Sequence, residues 1–346
     1  MNAATAVPSR HMPIAGACVA ALLALAPALP AFAEPVELKF AFFAPEATDI
    51  FRYGIKPFVD AVNAEGQGVV SIKVYADGKL GKSLAEQSQM VLSGAADIAW
   101  VVPGQTPYRF PDNEALELPG LFHDVRDGTL VYTRLAAAGA LRGYENFYVV
   151  AAFAVAPGLI HSRTKIGSIA DLAGLKIRTN NAIEADALNR LGALPTVMPA
   201  SMVSDALGKG ALDAAILSPA GLFQFGGPQA TNHYLLTTGS APLVILMSRK
   251  RFDSLPESAK TLIRKYSGDR AAAAWIESYG GSETRSIERI KSDPDRKAVE
   301  PSAADREAAR RVYDALIEAY AAKSPHSRQL VTMISAELAT IRSGSR

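Results

Sequence analysis

The sequence predicts an α/β protein folded as two lobes around a hinged central cleft, ending in a helical C-terminal region. Three observations predict it. Short apolar strands alternate with amphipathic helices along most of the chain, Pro and Gly interrupt that alternation at two places, and from residue 256 onward the pattern is almost wholly helical.

The opening segment is read as an export signal. Within residues 1–33, Arg10 is the one full charge, and an apolar run over 13–30 closes on Ala31-Phe32-Ala33, a small-x-small cleavage site. Pro27 and Pro30 break the run, where a permanent anchor would need ~20 strongly apolar residues. A rival lipoprotein reading at Cys18 ranks behind, because too little apolar sequence precedes it. The expected location is therefore the periplasm, with 1–33 removed as a signal peptide. Cys18 is the only cysteine, so the exported chain is expected to rest on a conventional core without disulfides. The 36 Lys and Arg against 34 Asp and Glu leave no basic excess for nucleic acid or an anionic membrane. His123, His161, His233 and His326 are scattered without metal-ligand spacing, and neither metal nor cofactor is expected.

Taken in order, residues 36–43 read as a first strand, 49–65 as a helix ended at Gly66, and 69–75 as a second strand. Residues 83–92 read as a helix, with Ser83 and Glu86 spaced as a capping box, and 97–102 as a third strand. This order implies a mostly parallel sheet covered by helices. The pattern resumes with strands at 147–153, 175–178, 196–198 and 212–217, and helices at 183–191 and 201–207, the latter opened by Ser201. A strand at 244–247 leads back towards the first unit. Helix follows from 256 to about 290, with Gly280-Gly281 expected to break it, and again over 303–341. The expected division is 34–156 as lobe 1, 157–240 as lobe 2, and 241–346 as the return to lobe 1 with the C-terminal helices. Ligands in such sheets bind outside the carboxyl ends of strands.

Catalytic patterns are missing. There is no G-x-S-x-G, no G-x-x-x-x-G-K-[ST] and no G-x-G-x-x-G after a strand. What the sequence offers instead is single polar residues at strand ends, a pattern suited to binding. Arg178 is the foremost, because an arginine ending a strand can aim its planar fork into a cleft and grip a carboxylate with two hydrogen bonds. The competing reading is an exposed strand arginine with its stem along the sheet. Asn180 ends the same strand. Thr106 and Arg109 lie in a loop stiffened by Pro103, Gly104, Pro107 and Pro111, where a packed connector is at least an equal reading for Arg109. Trp100 and Tyr108 are read as rings that could stack on a ligand, with core packing as the alternative, and Phe43 at the end of the first strand joins the ligand-binding candidates. Ser218 is read as a ligand donor or a helix cap, and His161 as a cleft residue or an ordinary polar strand residue.

Four stretches carry a family resemblance: residues 38–43; 75–81 with 94–98; 171–178 (Asp-Leu-Ala-Gly-Leu-Lys-Ile-Arg) with 191–193; and 198–207 with 210–214. In this order and spacing the chain resembles the substrate-binding proteins of TRAP (tripartite ATP-independent periplasmic) transporters, of the DctP type. The resemblance implies the two-lobed periplasmic binding protein fold, no reaction of its own, and two partners: a small carboxylate ligand and the integral-membrane TRAP permease subunits, driven by an ion gradient. It implies that Arg178 pairs with the substrate carboxylate, which outweighs the exposed-arginine reading. The chain departs from dicarboxylate binders at Ile216-Leu217-Ser218-Pro219 and over 153–158, where polar groups and a second arginine are expected. The expectation is an apolar or aromatic monocarboxylate, bound by a monomer. The alternative function is a periplasmic ligand-sensing adaptor for a signalling receptor; an enzyme is disfavoured.

Overall fold

The computed structural model describes residues 35–344, so the expected signal peptide lies outside the described residues. Strand β1 (Val36–Ala41) runs through a π-helical turn at Ile50–Ile55 into α1 (Lys56–Glu65), followed by β2 (Val70–Tyr75), α2 (Gln87–Ser93) and β3 (Ile98–Val101). Helices α3 (Glu114–Glu117) and α4 (Val125–Ala137) precede β4 (Phe147–Ala154). The second lobe contains β5 (Leu159–Ser162), β6 (Lys176–Thr179), α5 (Ala182–Arg190), β7 (Leu194–Val197), α6 (Val203–Gly208), β8 (Ala214–Leu217), the single turn α7 (Pro219–Gly221) and β9 (Asn232–Tyr234). The chain returns with β10 (Pro242–Ser248), α8 (Arg249–Asp253), α9 (Glu257–Lys265) and α10 (Asp269–Ser292). It ends in β11 (Lys297–Val299), α11 (Ala303–Ala322) and α12 (Pro325–Arg342).

Two sheets result, one of five strands in the order β2-β1-β3-β10-β4 and one of six in the order β11-β9-β5-β8-β6-β7. Neither is as uniformly parallel as the sequence implies. In the first, β10 returns antiparallel between β3 and β4; in the second, β5 lies antiparallel to both β8 and β9. Nor does the third segment remain with the first lobe. Strand β11 pairs with β9 in the second sheet, and α10 packs on α4 and β4 of one lobe and α7 of the other.

Three local expectations are corrected. Helix α10 runs unbroken through Gly280-Gly281; Gly280 faces α4, where a Cβ would stand 3.9 Å from that of Val125. Ser83 makes no side-chain cap: the helix begins as a 3₁₀ turn at Leu84–Glu86, and Gln87 Nε2 donates to the carbonyls of Gly81 and Ser83, 3.0 Å each. Ser201 likewise opens no helix but sits inside the 3₁₀ turn Ala200–Met202 ahead of α6.

The core of the first lobe is aromatic where it meets the cleft. Trp100 stacks on Phe153 with centroids 5.5 Å apart, Phe153 packs on Trp275 at 4.7 Å, and Trp275 stacks on Tyr279 at 4.0 Å. The Trp275 indole N–H donates to Ala154 O at 3.0 Å, tying α10 to the last residue of β4. Gly54 makes this stack possible: a Cβ there would lie 2.7 Å from the Trp275 ring and 3.0 Å from Trp100. Among the described residues, no helix is long and apolar enough to cross a membrane.

Candidate functional site

A cavity of about 120 Å³ lies between the lobes, at the carboxyl ends of β3, β6 and β8. Its walls are mostly apolar, with Phe43, Trp100, Phe225 and Tyr279 supplying rings and Val155, Ala156, Ile216 and Leu217 supplying aliphatic surface.

Arg178 is the one arginine on this wall among the described residues. It is 2 % exposed, so the exposed-arginine reading is excluded. Parallel pairing of β6 with β7 and β8 sets it opposite Thr196 and Ala215, and the end of the strand carries it into the cleft. Its Nε donates to Met198 O (2.8 Å), Nη1 to Ile216 O (2.8 Å) and Nη2 to Asn180 Oδ1 (3.2 Å). A guanidinium has five N–H groups, so one remains on each terminal nitrogen. Burial lowers its pKa to about 10, opposed by the nearby Glu184 carboxyl, and it stays a cation at neutral pH.

Of the residues expected from sequence, the cavity gathers Arg178, Asn180, Trp100, Phe43 and Ser218. Ser218 has both of its expected roles open to it, since it lines the cavity while its hydroxyl caps α7 through Gly221 N–H at 3.2 Å. Trp100 is fully buried, and its Nε1 has no hydrogen-bond partner among the described residues. Thr106, Arg109 and His161 lie off the cavity wall. The turn that begins at Thr106 folds back on its own lobe: Thr106 Oγ1 contacts Pro103 O at 3.4 Å, and Arg109 Nη2 donates to Gln89 Oε1 at 2.8 Å. His161 is buried in the sheet, with Nε2 3.1 Å from Leu217 O.

Sequence reasoning missed several lining residues. Gln105 reaches across the cleft, its Nε2 donating to Asn180 O at 3.3 Å. Glu184 is buried on the wall beside Arg178, and Tyr279 arrives from α10. Behind them Glu117 of α3 is also buried, and its pKa rises to about 8, first through desolvation and then through Glu184 and Glu114. Glu283 of α10 accepts the Ala220 N–H at 2.7 Å, and burial raises it to about 7. Among the described residues, no His, Cys, Asp and Glu are grouped to hold a metal ion.

The architecture is a wrapped, largely apolar pocket with one buried arginine. The pattern of the family DctP, bacterial extracellular solute-binding protein family 7, matches residues 40–324. The chain belongs to this family. It is 26% identical over 267 residues to the C4-dicarboxylate-binding periplasmic protein DctP of Rhodobacter capsulatus, covering 73% of this chain and 77% of that one. A solved TRAP solute-binding protein of a marine metagenome, specific for aromatic acid ligands and in complex with metahydroxyphenylacetate, is similar with a TM-score of 0.80 and 26% identity. That match covers 88% of this chain and 99% of the other. A structure of a marine metagenome protein of the same description, co-crystallised with 3-hydroxybenzoate, gives 0.79 and 27%, over 89% and 99%. This DctP-family chain is thus a TRAP-type solute-binding protein with the two-lobed fold. Such proteins bind small carboxylates, catalyse no reaction and work with a membrane permease.

Proposed function

We propose that this protein captures a single-ring aromatic or otherwise apolar monocarboxylate in the periplasm and delivers it to the membrane subunits of a TRAP permease. The observation that carries the reading is Arg178, with one N–H on each terminal nitrogen uncommitted, as the lone arginine of an aromatic-walled cavity. The carboxylate pairs with that fork and the ring packs among Phe43, Trp100, Phe225 and Tyr279. A dicarboxylate fits poorly, because its second charge would meet Glu184 and apolar wall, and a buried unpaired charge is costly. The ligands of the two metagenome structures belong to the proposed class.

A thermal-shift panel tests it. Metahydroxyphenylacetate or 3-hydroxybenzoate should raise the melting temperature more than succinate or malate does. The opposite ranking overturns the reading.

A further inference from the structure

Arg178 shares the cavity wall with a second buried ionisable group. Glu184, 3 % exposed, lies in the first turn of α5, where Asn181 caps the helix through the Glu184 N–H at 2.8 Å. Its Oε2 accepts the Asn180 N–H at 2.9 Å. Its Oε1 lies 3.0 Å from Thr238 Oγ1, and that same hydroxyl lies 3.2 Å from the carbonyl oxygen of Gly158. A hydroxyl has one proton to give. Gly158 O already accepts the Thr238 N–H at 2.9 Å, so with Glu184 ionised the hydroxyl proton goes to Oε1 and only the 3.2 Å contact to Gly158 O lacks a hydrogen. The set closes when the carboxyl carries a proton on Oε1. Glu184 then donates to Thr238, and Thr238 donates to Gly158.

The charges around Glu184 point the same way. The ionisable groups facing it are Arg178 from β6, Glu117 from α3 and Tyr313 from α11; β7, its other packed neighbour, has none. Tyr313 donates its hydroxyl proton to Thr237 O at 2.9 Å and is neutral. One guanidinium thus faces two acids before any ligand arrives. A ligand carboxylate on Arg178 would be a third, and closely placed like charges in a buried site do not all ionise.

We propose that Glu184 sets the charge of the binding cavity: it holds a proton on Oε1, leaving Arg178 unneutralised for a carboxylate ligand, and ligand capture takes that proton up wherever the solution is alkaline enough to have removed it. Burial supports this by raising the Glu184 carboxyl above its ordinary range, despite the opposing pull of the Asn180 N–H, Arg178 and Thr238. The ligand half of the proposal rests on the carboxylate reading above; the proton half does not.

Two measurements on the exported protein separate them. Infrared difference spectra of the ligand-free protein against Glu184→Gln, recorded over a pH series, should show a protonated-carboxyl stretch that the variant lacks and that persists above the ordinary glutamate range. Calorimetry with metahydroxyphenylacetate, in buffers of different ionisation enthalpy, should show wild-type proton uptake growing with pH towards about one. The wild-type Kd should climb towards ~tenfold per pH unit above the titration point. Glu184→Gln keeps an N–H for Thr238 and should show neither the uptake nor the pH dependence. A missing Glu184-dependent band, or equal proton uptake in both proteins, overturns the proposal. A present band with no binding of the acid by either protein upholds the proton assignment and overturns the aromatic reading instead.

Discussion

The imidazoles of His161 and His233 meet Nδ1 to Nδ1 at 2.9 Å, and their neighbours fix the direction of that bond. His161 Nε2 faces the Leu217 carbonyl at 3.1 Å and has to donate; its Nδ1 is then the acceptor when the ring is neutral. His233 donates from Nδ1 and receives the Arg296 N–H on Nε2 at 3.3 Å. A one-way chain therefore runs from Arg296 beside β11, through β9 and β5, to the end of β8 at the cavity. Both rings are neutral. Desolvation is the largest cause of each shift, lowering His161 to about 3, helped by His233, and His233 to about 4, helped by Arg296.

The stability that these two rings contribute should accordingly be lost on acidification. Unfolding returns each ring to its ordinary 6.5, so between that value and the folded one the unfolded chain binds more protons and stability declines as pH falls. Glu117 and Glu283, raised to about 8 and about 7, work in the opposite direction above their ordinary 4.5, so a single melting curve mixes opposing contributions. The informative quantity is the gap in Tm between wild type and His233→Gln, which should narrow from about pH 7 to about pH 4. A constant gap would show that His233 does not titrate on unfolding.

Arg178 should be irreplaceable for binding. Arg178→Ala is expected to weaken capture of an aromatic carboxylate by at least ~2 kcal/mol, roughly thirtyfold, because a desolvated carboxylate loses its charged partner. Arg178→Lys should also fail to restore affinity, since one ammonium cannot reach Met198 O, Ile216 O and Asn180 Oδ1 as the guanidinium does. Calorimetric Kd values decide it, and an unchanged Kd in either variant removes the assigned role.

Gln105 is expected to act on residence time. Its amide is a cleft-spanning bond, made only when the third-strand loop and the end of β6 are together. Gln105→Ala should cost about 0.5–1.5 kcal/mol of affinity, expressed mainly as faster release in stopped-flow fluorescence. An effect confined to the association rate would contradict this.

Gly54→Ala tests the aromatic stack. With Trp275 and Trp100 both fully buried, neither ring can withdraw from the added methyl without displacing the cavity wall. Destabilisation of about 1–3 kcal/mol is expected by chemical denaturation, together with weaker ligand binding. Wild-type stability in this variant would mean that the turn at Ile50–Ile55 relaxes freely.

Much of the fold was legible because its elements are local. Alternation located β1, β2, β3, β4 and β8. Arg178 was legible for the same reason, as a polar residue at the end of a short strand. Strand β11 was not: Lys297-Ala298-Val299 carries no pattern, and only its pairing with β9 makes it a strand. Arg109 stayed open between two readings because a stiff loop after a strand can turn towards the cleft or back on itself, and its bond to Gln89 lies 20 residues away. Glu184 escaped notice as an ordinary first-turn acid of a helix. Its burial is imposed by α3 and α11, whose arrival no local window reports.

Helix α10 bears on how such a cleft can move. At 24 residues it is about 36 Å long, and it is fastened to β4 by Trp275 and to α7 by Glu283. Two peptide connectors alone would let the lobes twist, slide and swing independently. A stiff beam bonded to both, continuing into β11, removes most of those freedoms. What remains is flexure along the beam, so opening follows one path, and the same path in reverse brings Arg178 back to its ligand.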